Sequence, residues 1–308
     1  MTEDGARKGR RTALFVVVVI VALGAITAAG LYGYRETTSR RAALEQLAEA
    51  TDLILKADET VLATDEIVRA EITTDLASQI SEVASDVPDA IGDLRSALDL
   101  IGTAKPNLDE ARLAEADALA ASATARIDML DLVGPILEVN SKAAGALEPA
   151  RDAWDRLARG EELLDKAVTE YNKLTKDAVT ASRGLSDQAE AEYKASRDGF
   201  AAAHAAFPEA GLDAFVKFAE DKIALVGISK QADAAFLAGK LVEANTASDR
   251  FNTRDKELVE AAKKLSNTPE TAIAAAYERL AGEATTKYFV ARDEATKADG
   301  ALERITAR

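Results

Sequence analysis

Leu44, Leu47, Thr51, Ile54, Val61, Val68, Ile72, Leu76, Ile80 and Val83 follow one another at steps of three, four or seven residues. That spacing sets all ten on one face of a helix with 3.6 residues per turn. The helical period persists almost to the C-terminus, in a chain dominated by Ala, Leu, Glu, Lys and Arg, all strong helix formers. Runs of alternating β-branched residues are missing, so no sheet is expected. The fold class predicted is all-α: an N-terminal transmembrane helix followed by elongated antiparallel helical bundles, with two tandem four-helix-like units as one arrangement.

The transmembrane reading comes from Ala13 to Gly33, 21 positions without a formal charge. A helix rises about 1.5 Å per residue, so about 20 residues cross the hydrocarbon core. The apolar run is longer than the core of a secretory signal and ends in Leu31-Tyr32-Gly33-Tyr34, whose tyrosines suit a membrane interface. Residues 12–34 are therefore expected to be an uncleaved anchor rather than a signal peptide. Arg7, Lys8, Arg10 and Arg11 precede it as a tight basic flank in the short tail 1–11, which favours a cytoplasmic N-terminus and an extracytoplasmic body. Arg35, Arg40 and Arg41 weaken that asymmetry. Gly24, Ala25, Ala28 and Ala29 have the small-xxx-small spacing of close helix pairs, which is also ordinary composition for a lipid-facing helix. No later stretch is long enough to span, so a single pass is expected.

Six prolines punctuate the body. Breaks are expected at Pro88 and Pro106, at Gly134-Pro135, before Pro149, at Phe207-Pro208 and at Thr268-Pro269, with Asn107 and Glu110 as a capping box and Thr268 as an N-cap. Helices are accordingly predicted near 12–86, 88–102, 107–133, 149–183, 186–206, 209–228, 230–265 and 268–306. Ala153-Trp154-Asp155-Arg156-Leu157-Ala158 is echoed by Ala276-Tyr277-Glu278-Arg279-Leu280-Ala281. Arg112-Leu113-Ala114-Glu115-Ala116 is echoed by Lys240-Leu241-Val242-Glu243-Ala244, and Leu137-Glu138-Val139-Asn140-Ser141 by Leu265-Ser266-Asn267-Thr268. The echoes keep their order at nearly one offset, which suggests unit 35–170 duplicated as 171–308, with Trp154 and Tyr277 as equivalent core anchors.

Residues 42–308 hold 31 basic and 50 acidic side chains, a formal charge of −19. A body this acidic repels phosphate backbones and anionic lipid, so no nucleic-acid partner is expected. Cysteine is absent, which excludes disulfides, thiolate metal sites and cysteine nucleophiles. With no Asn-x-Ser/Thr sequon and an Ala-rich, Trp-poor composition, a bacterial envelope protein is the expected setting.

Chemistry is sparse in this pattern. His204, the one histidine, sits among alanines, and nothing like Gly-x-Ser-x-Gly or a phosphate-cradling glycine loop accompanies it. Asp109-Glu110 with Glu115 and Asp117, and Glu161-Glu162 with Asp165, read as solvated helix faces rather than cation sites. Asp58 and Asp65 are different: they lie on or beside the first apolar stripe, where a polar group fixes register or touches a ligand, but the favoured expectation is that the stripe drifts and exposes them. No catalytic, metal or cofactor residue is expected. The predicted function is that of a non-enzymatic interaction or scaffold module of the cell envelope, anchored in the bilayer through 12–34, with protein partners and self-association as expected associations. The alternative is an extracytoplasmic sensory or ligand-binding bundle working with a partner. An anchor running into long bundles resembles the extracytoplasmic half of chemoreceptors in architecture alone.

Overall fold

The computed structural model describes residues 38–73, 76–265 and 268–306. Among these the chain forms seven α-helices and no strand, as the periodicity demands. They are α1 (Thr38–Arg69), α2 (Leu76–Ala104), α3 (Glu110–Tyr171), α4 (Lys176–Ala206), α5 (Asp213–Leu237), α6 (Leu241–Ala262) and α7 (Pro269–Thr306). The expected anchor at 12–34 and its flank Arg7, Lys8, Arg10 and Arg11 lie outside the described residues. No helix among the described residues is long and apolar enough to cross a membrane.

The prolines interrupt far less than expected. Pro88 lies inside α2, and Pro135 and Pro149 lie inside α3, which is one helix of 62 residues. A proline removes one bond to the carbonyl four residues earlier. Here those carbonyls belong to Ala84, Asp131 and Gly145, all exposed, so water can replace the lost donor. Buried neighbours hold the helix together across each site in α3: Val133 and Ile136 flank Gly134-Pro135, and Ala146 and Ala150 flank Pro149.

The true breaks have other causes. α1 ends at Arg69 rather than near 86, and Leu76 N–H bonds the Thr73 carbonyl at 3.1 Å as the chain re-enters a helix. Ile72 and Thr73, just before that re-entry, are β-branched and stiff at χ1, which lowers their helix propensity. Asp109, not Asn107, caps α3, its Oδ1 accepting from Arg112 N at 3.0 Å. Thr268 caps α7 as expected, with Thr271 N donating to its Oγ1 at 3.2 Å. α4 follows Leu174, a left-handed residue at φ 53°, and Thr175, whose Oγ1 accepts from Ala178 N. α5 runs through the expected break near 228–230 and stops only where Gly239 turns left-handed at φ 75°.

Two compact units result, and they are not consecutive in sequence. The described part of the first comprises 38–71, 78–138 and 281–306; that of the second comprises 139–265 and 268–280 with 72–73 and 76–77. The C-terminal segment thus belongs with the N-terminal one, in place of the serial division at 170 and 171. Trp154 and Tyr277 both fall in the second unit, each half-buried, so they are not matching anchors of two units.

In the first unit α1 buries Ala43, Leu47, Ala50, Ile54, Ala57 and Val61, a run at alternating steps of four and three. α3 answers with Ala116, Leu119, Ala123, Arg126, Leu130 and Val133 at similar steps. In the second unit α3 and α4 form an antiparallel hairpin whose closest approaches are at glycines. A Cβ on Gly199 would stand 2.9 Å from Ala153 Cβ, and one on Gly160 would stand 2.6 Å from the buried Tyr193 ring. Phe200 and Trp154 both pack on Phe215, with ring centroids 5.3 and 6.0 Å away, bringing α5 onto the hairpin.

Two substitutions of the same kind should therefore have opposite signs. Gly160→Ala should destabilise the protein by about 1–3 kcal/mol, because the Tyr193 ring has no free space to enter. Gly184→Ala, at an exposed position of α4 with nothing within 4 Å of the new methyl, should stabilise by about 0.5–1 kcal/mol. Urea unfolding followed by circular dichroism measures both, and equal shifts of the midpoint would refute the packing argument.

Candidate functional site

Three arrangements in the described residues go beyond apolar packing. The first is in the first unit. Arg126 occupies a core position of α3 and is about 1% exposed. Its Nε donates to Asp58 Oδ1 at 2.6 Å, Nη1 to Asp299 Oδ1 at 3.0 Å and to Ser122 Oγ, and Nη2 to Asp58 Oδ2 and Asp299 Oδ2 at 3.4 and 3.2 Å. All five N–H groups of the guanidinium thus have acceptors. Burial alone would lower its pKa, but the two carboxylates outweigh that and hold it above its usual value. Burial pushes Asp58 up, and Arg126 offsets this only in part.

Two turns along α1, Asp65 accepts from Arg292 Nε at 2.6 Å, from Tyr288 Oη at 3.3 Å and from Arg69 Nη1 at 3.3 Å. Burial and the Asp65 charge keep the Tyr288 phenol protonated far above its ordinary pKa. A cavity of about 30 Å³ lies between Arg126, Asp65 and Arg292, lined also by Met129. That is room for one water. Asp58 and Asp65 are therefore structural hubs with named partners rather than exposed drift of the stripe.

The second arrangement is in the second unit, where four helices each supply a polar side chain. Lys222 of α5, about 5% exposed, donates to Glu161 of α3 at 2.8–2.9 Å, lies 4.0 Å from Asp255 of α6, and stands 5.6 Å from the Phe218 ring centre. Burial and the neighbouring Glu161 hold the Tyr193 phenol of α4 well above its usual pKa. Further along the α4–α5 seam, Ser182 Oγ donates to Asp233 Oδ1 at 3.0 Å, and Ser186 and Ser229 hydroxyls lie 3.4 Å apart. Asp233 has no exposed surface, and its Oδ2 lacks a hydrogen-bond partner. Burial pushes its carboxyl up to about 6, against the pull of Ser182 and Arg183.

The third is a surface. α6 is 22 residues long and buries Ala244, Ala247 and Leu258. Leu241 and Val242 are 57% and 81% exposed, and Val259 is half in water. Two adjoining grooves of about 580 and 440 Å³ run between α5 and α6 and share Thr246 and Arg250. Ile228, Ala234, Ala235, Ala238 and Val242 line them together with Lys240, Glu243, Asp249 and Glu257.

The other residues singled out from the sequence have local roles. Asp109 caps α3 and pairs with Arg40, Glu115 pairs with Arg112 at 2.6 Å, and Asp117 pairs with Lys105 at 2.7 Å. Glu162 pairs with Lys166 at 3.0 Å, and Asp165 is exposed. His204 is half-buried near the end of α4, with Nδ1 lacking a hydrogen-bond partner. No group of three or more His, Cys, Asp or Glu among the described residues could hold a metal ion. Arg126, Asp299, Lys222, Asp233 and the buried serines are invisible to a reading that scans for apolar stripes. The available signal is a charge on the stripe itself: Arg126 replaces an apolar residue between Leu119 and Leu130. Compared with protein-family models, curated proteins and solved structures, the chain matches none of them.

Removing Arg126 leaves Asp58 and Asp299 facing each other without a cation. Arg126→Leu should cost about 3–5 kcal/mol at pH 7. The loss should be smaller at pH 4.5 than at pH 7, because two facing carboxylates without a cation favour protonation of one of them, and burial already pushes Asp58 up. Urea midpoints at the two pH values provide the check, and a pH-independent loss would mean packing rather than charge is at stake.

Proposed function

We propose that this chain is a membrane-tethered helical interaction module of the cell envelope, which receives a helix of another protein in the groove between α5 and α6. The observation that carries the reading is the poor burial of α6. A 22-residue helix that buries only two alanines and one leucine leaves most of its surface to solvent, and Val242, 81% exposed, stands on the α6 side of the groove. The tether is the uncharged run Ala13–Gly33 with its basic flank, and the acidic body favours a protein over a polyphosphate as the bound species.

The absence of cysteine makes the tether testable. With Thr306→Cys, a membrane-impermeant maleimide should label intact cells, on a full-length chain retained in the membrane fraction. Labelling only after lysis would reverse the orientation and place the body inside. For the groove, a photo-crosslinking amino acid at Thr246 should give a discrete adduct in vivo. The same group at exposed Thr180 on α4 should not, and Ala234→Arg, which fills the groove, should abolish the Thr246 adduct. Equal adducts from both positions, or an adduct that survives Ala234→Arg, would reject the groove.

A further inference from the structure

In a bundle core an ionisable side chain with an unmatched oxygen is an instruction about protonation. Asp233 is such a group. It has no exposed surface, it points into the α4–α5 seam, and of its two oxygens one accepts from Ser182 while the other has no partner. The seam around it is polar yet small: Ser182 and Ser186 have no exposed surface, and Ser229 is about 8% exposed. Hydroxyls can serve a neutral carboxylic acid or, after a modest opening, share a carboxylate with incoming water. A tightly packed leucine seam could do neither.

We propose that the α4–α5 seam of the second unit is a proton-operated latch: it closes when Asp233 is a neutral acid and loosens to admit water when Asp233 ionises. The surrounding charges set the balance. Arg183 on α4 favours the ionised form, whereas Asp187, one turn along, opposes it. Asp187 is itself held by Lys230 of α5 at 2.5 Å, and the same lysine takes Glu190 at 2.8 Å, so these charges bridge the seam outside the latch. On the α3 side the neighbouring contact is apolar, the Tyr171 ring standing 6.1 Å from that of Phe236.

The sign follows from linkage. The folded carboxyl titrates near 6, above the ordinary value of 3.8. The folded state therefore holds its proton where the unfolded chain has lost it, and stability falls as pH rises from about 4 to about 6. Ala234 and Ala235 in the next turn of α5 and Ala238 just after it line the groove described above, so the latch state also reaches the groove wall. That last coupling rests on the docking reading; the latch does not.

Hydrogen exchange on the full chain, without any partner, tests it. After correction for intrinsic exchange rates, amides in 182–190 and 226–236 should exchange at least tenfold faster at pH 7.5 than at pH 4.5. Those in 94–104 of the first unit should change less than twofold. Asp233→Asn should give the protected pattern at both pH values. Should that variant fold poorly, Ser182→Ala, which strips the one bond to the carboxylate, should enlarge the difference in the wild-type direction. Equal protection at both pH values, or a pH step that persists in Asp233→Asn, would overturn the latch while leaving the groove untouched.

Discussion

A guanidinium with almost no access to water must find an acceptor for every N–H, and Arg126 does so by drawing on three helices. Asp58 comes from α1, Ser122 from its own helix and Asp299 from α7. The rest of the first unit's core supplies little that could set register. Its seam residues are alternately alanine and Leu, Ile or Val, and such surfaces pack about as well after a slide of one turn. Sliding α1 or α7 by 5.4 Å would strand the guanidinium and at least one carboxylate, at a cost of several kcal/mol. The ion cluster is thus worth little as net stability and much as a selector of one packing. Asp65 with Arg292 repeats the device two turns away, and the two pairings together fix α1 and α7 as antiparallel.

The second unit reaches a unique packing by other means. Its α3–α4 hairpin locks where Gly160 admits Tyr193 and Gly199 admits Ala153, and neither contact survives a shift of one residue. α4 presents Ser182, Ser186, Ala189, Tyr193, Ser196, Phe200 and Ala203 to the interior, again at steps of four and three. The hydrophobic driving force of this face is concentrated in the Phe200, Phe215 and Trp154 contacts near the far end of the hairpin. The serine end depends instead on hydrogen bonds and close approach. The seam near Asp233 thus relies more on polar contacts than the aromatic end does.

The fold was legible in the sequence to the extent that periodicity reports it. The α1 stripe, the Thr268 cap and the absence of strand patterns among the described residues all follow from residue spacing. Helix ends were not legible from proline alone, because a proline on the wet face of a helix frees a carbonyl that water can satisfy. Pro88, Pro135 and Pro149 show the consequence. Conversely the turn after Arg69 carries neither Gly nor Pro. Asp58 and Asp65 stood out because they interrupt an apolar stripe, but their partner Arg126 needed the same test applied to α3. The serine face of α4 escaped notice because its heptad is written in residues that usually mark a solvated surface. Which helices share a core is a tertiary fact, and the return of 281–306 to the first unit leaves no mark on local pattern.

The weak attachment of α6 and the ionisation of Asp233 operate on the same energy scale. Burying Leu258 contributes about 1.5–3 kcal/mol, and the two alanines add less. Holding Asp233 as a carboxylate at neutral pH, with its pKa about 6 against 3.8, opposes folding by at most about 3 kcal/mol, and any water that enters the seam trims that figure. An isolated helix of this length gains little from its own hydrogen bonds in water. The burial that holds α6 to α5 and the ionisation of Asp233 in the adjacent α4–α5 seam are thus of similar size.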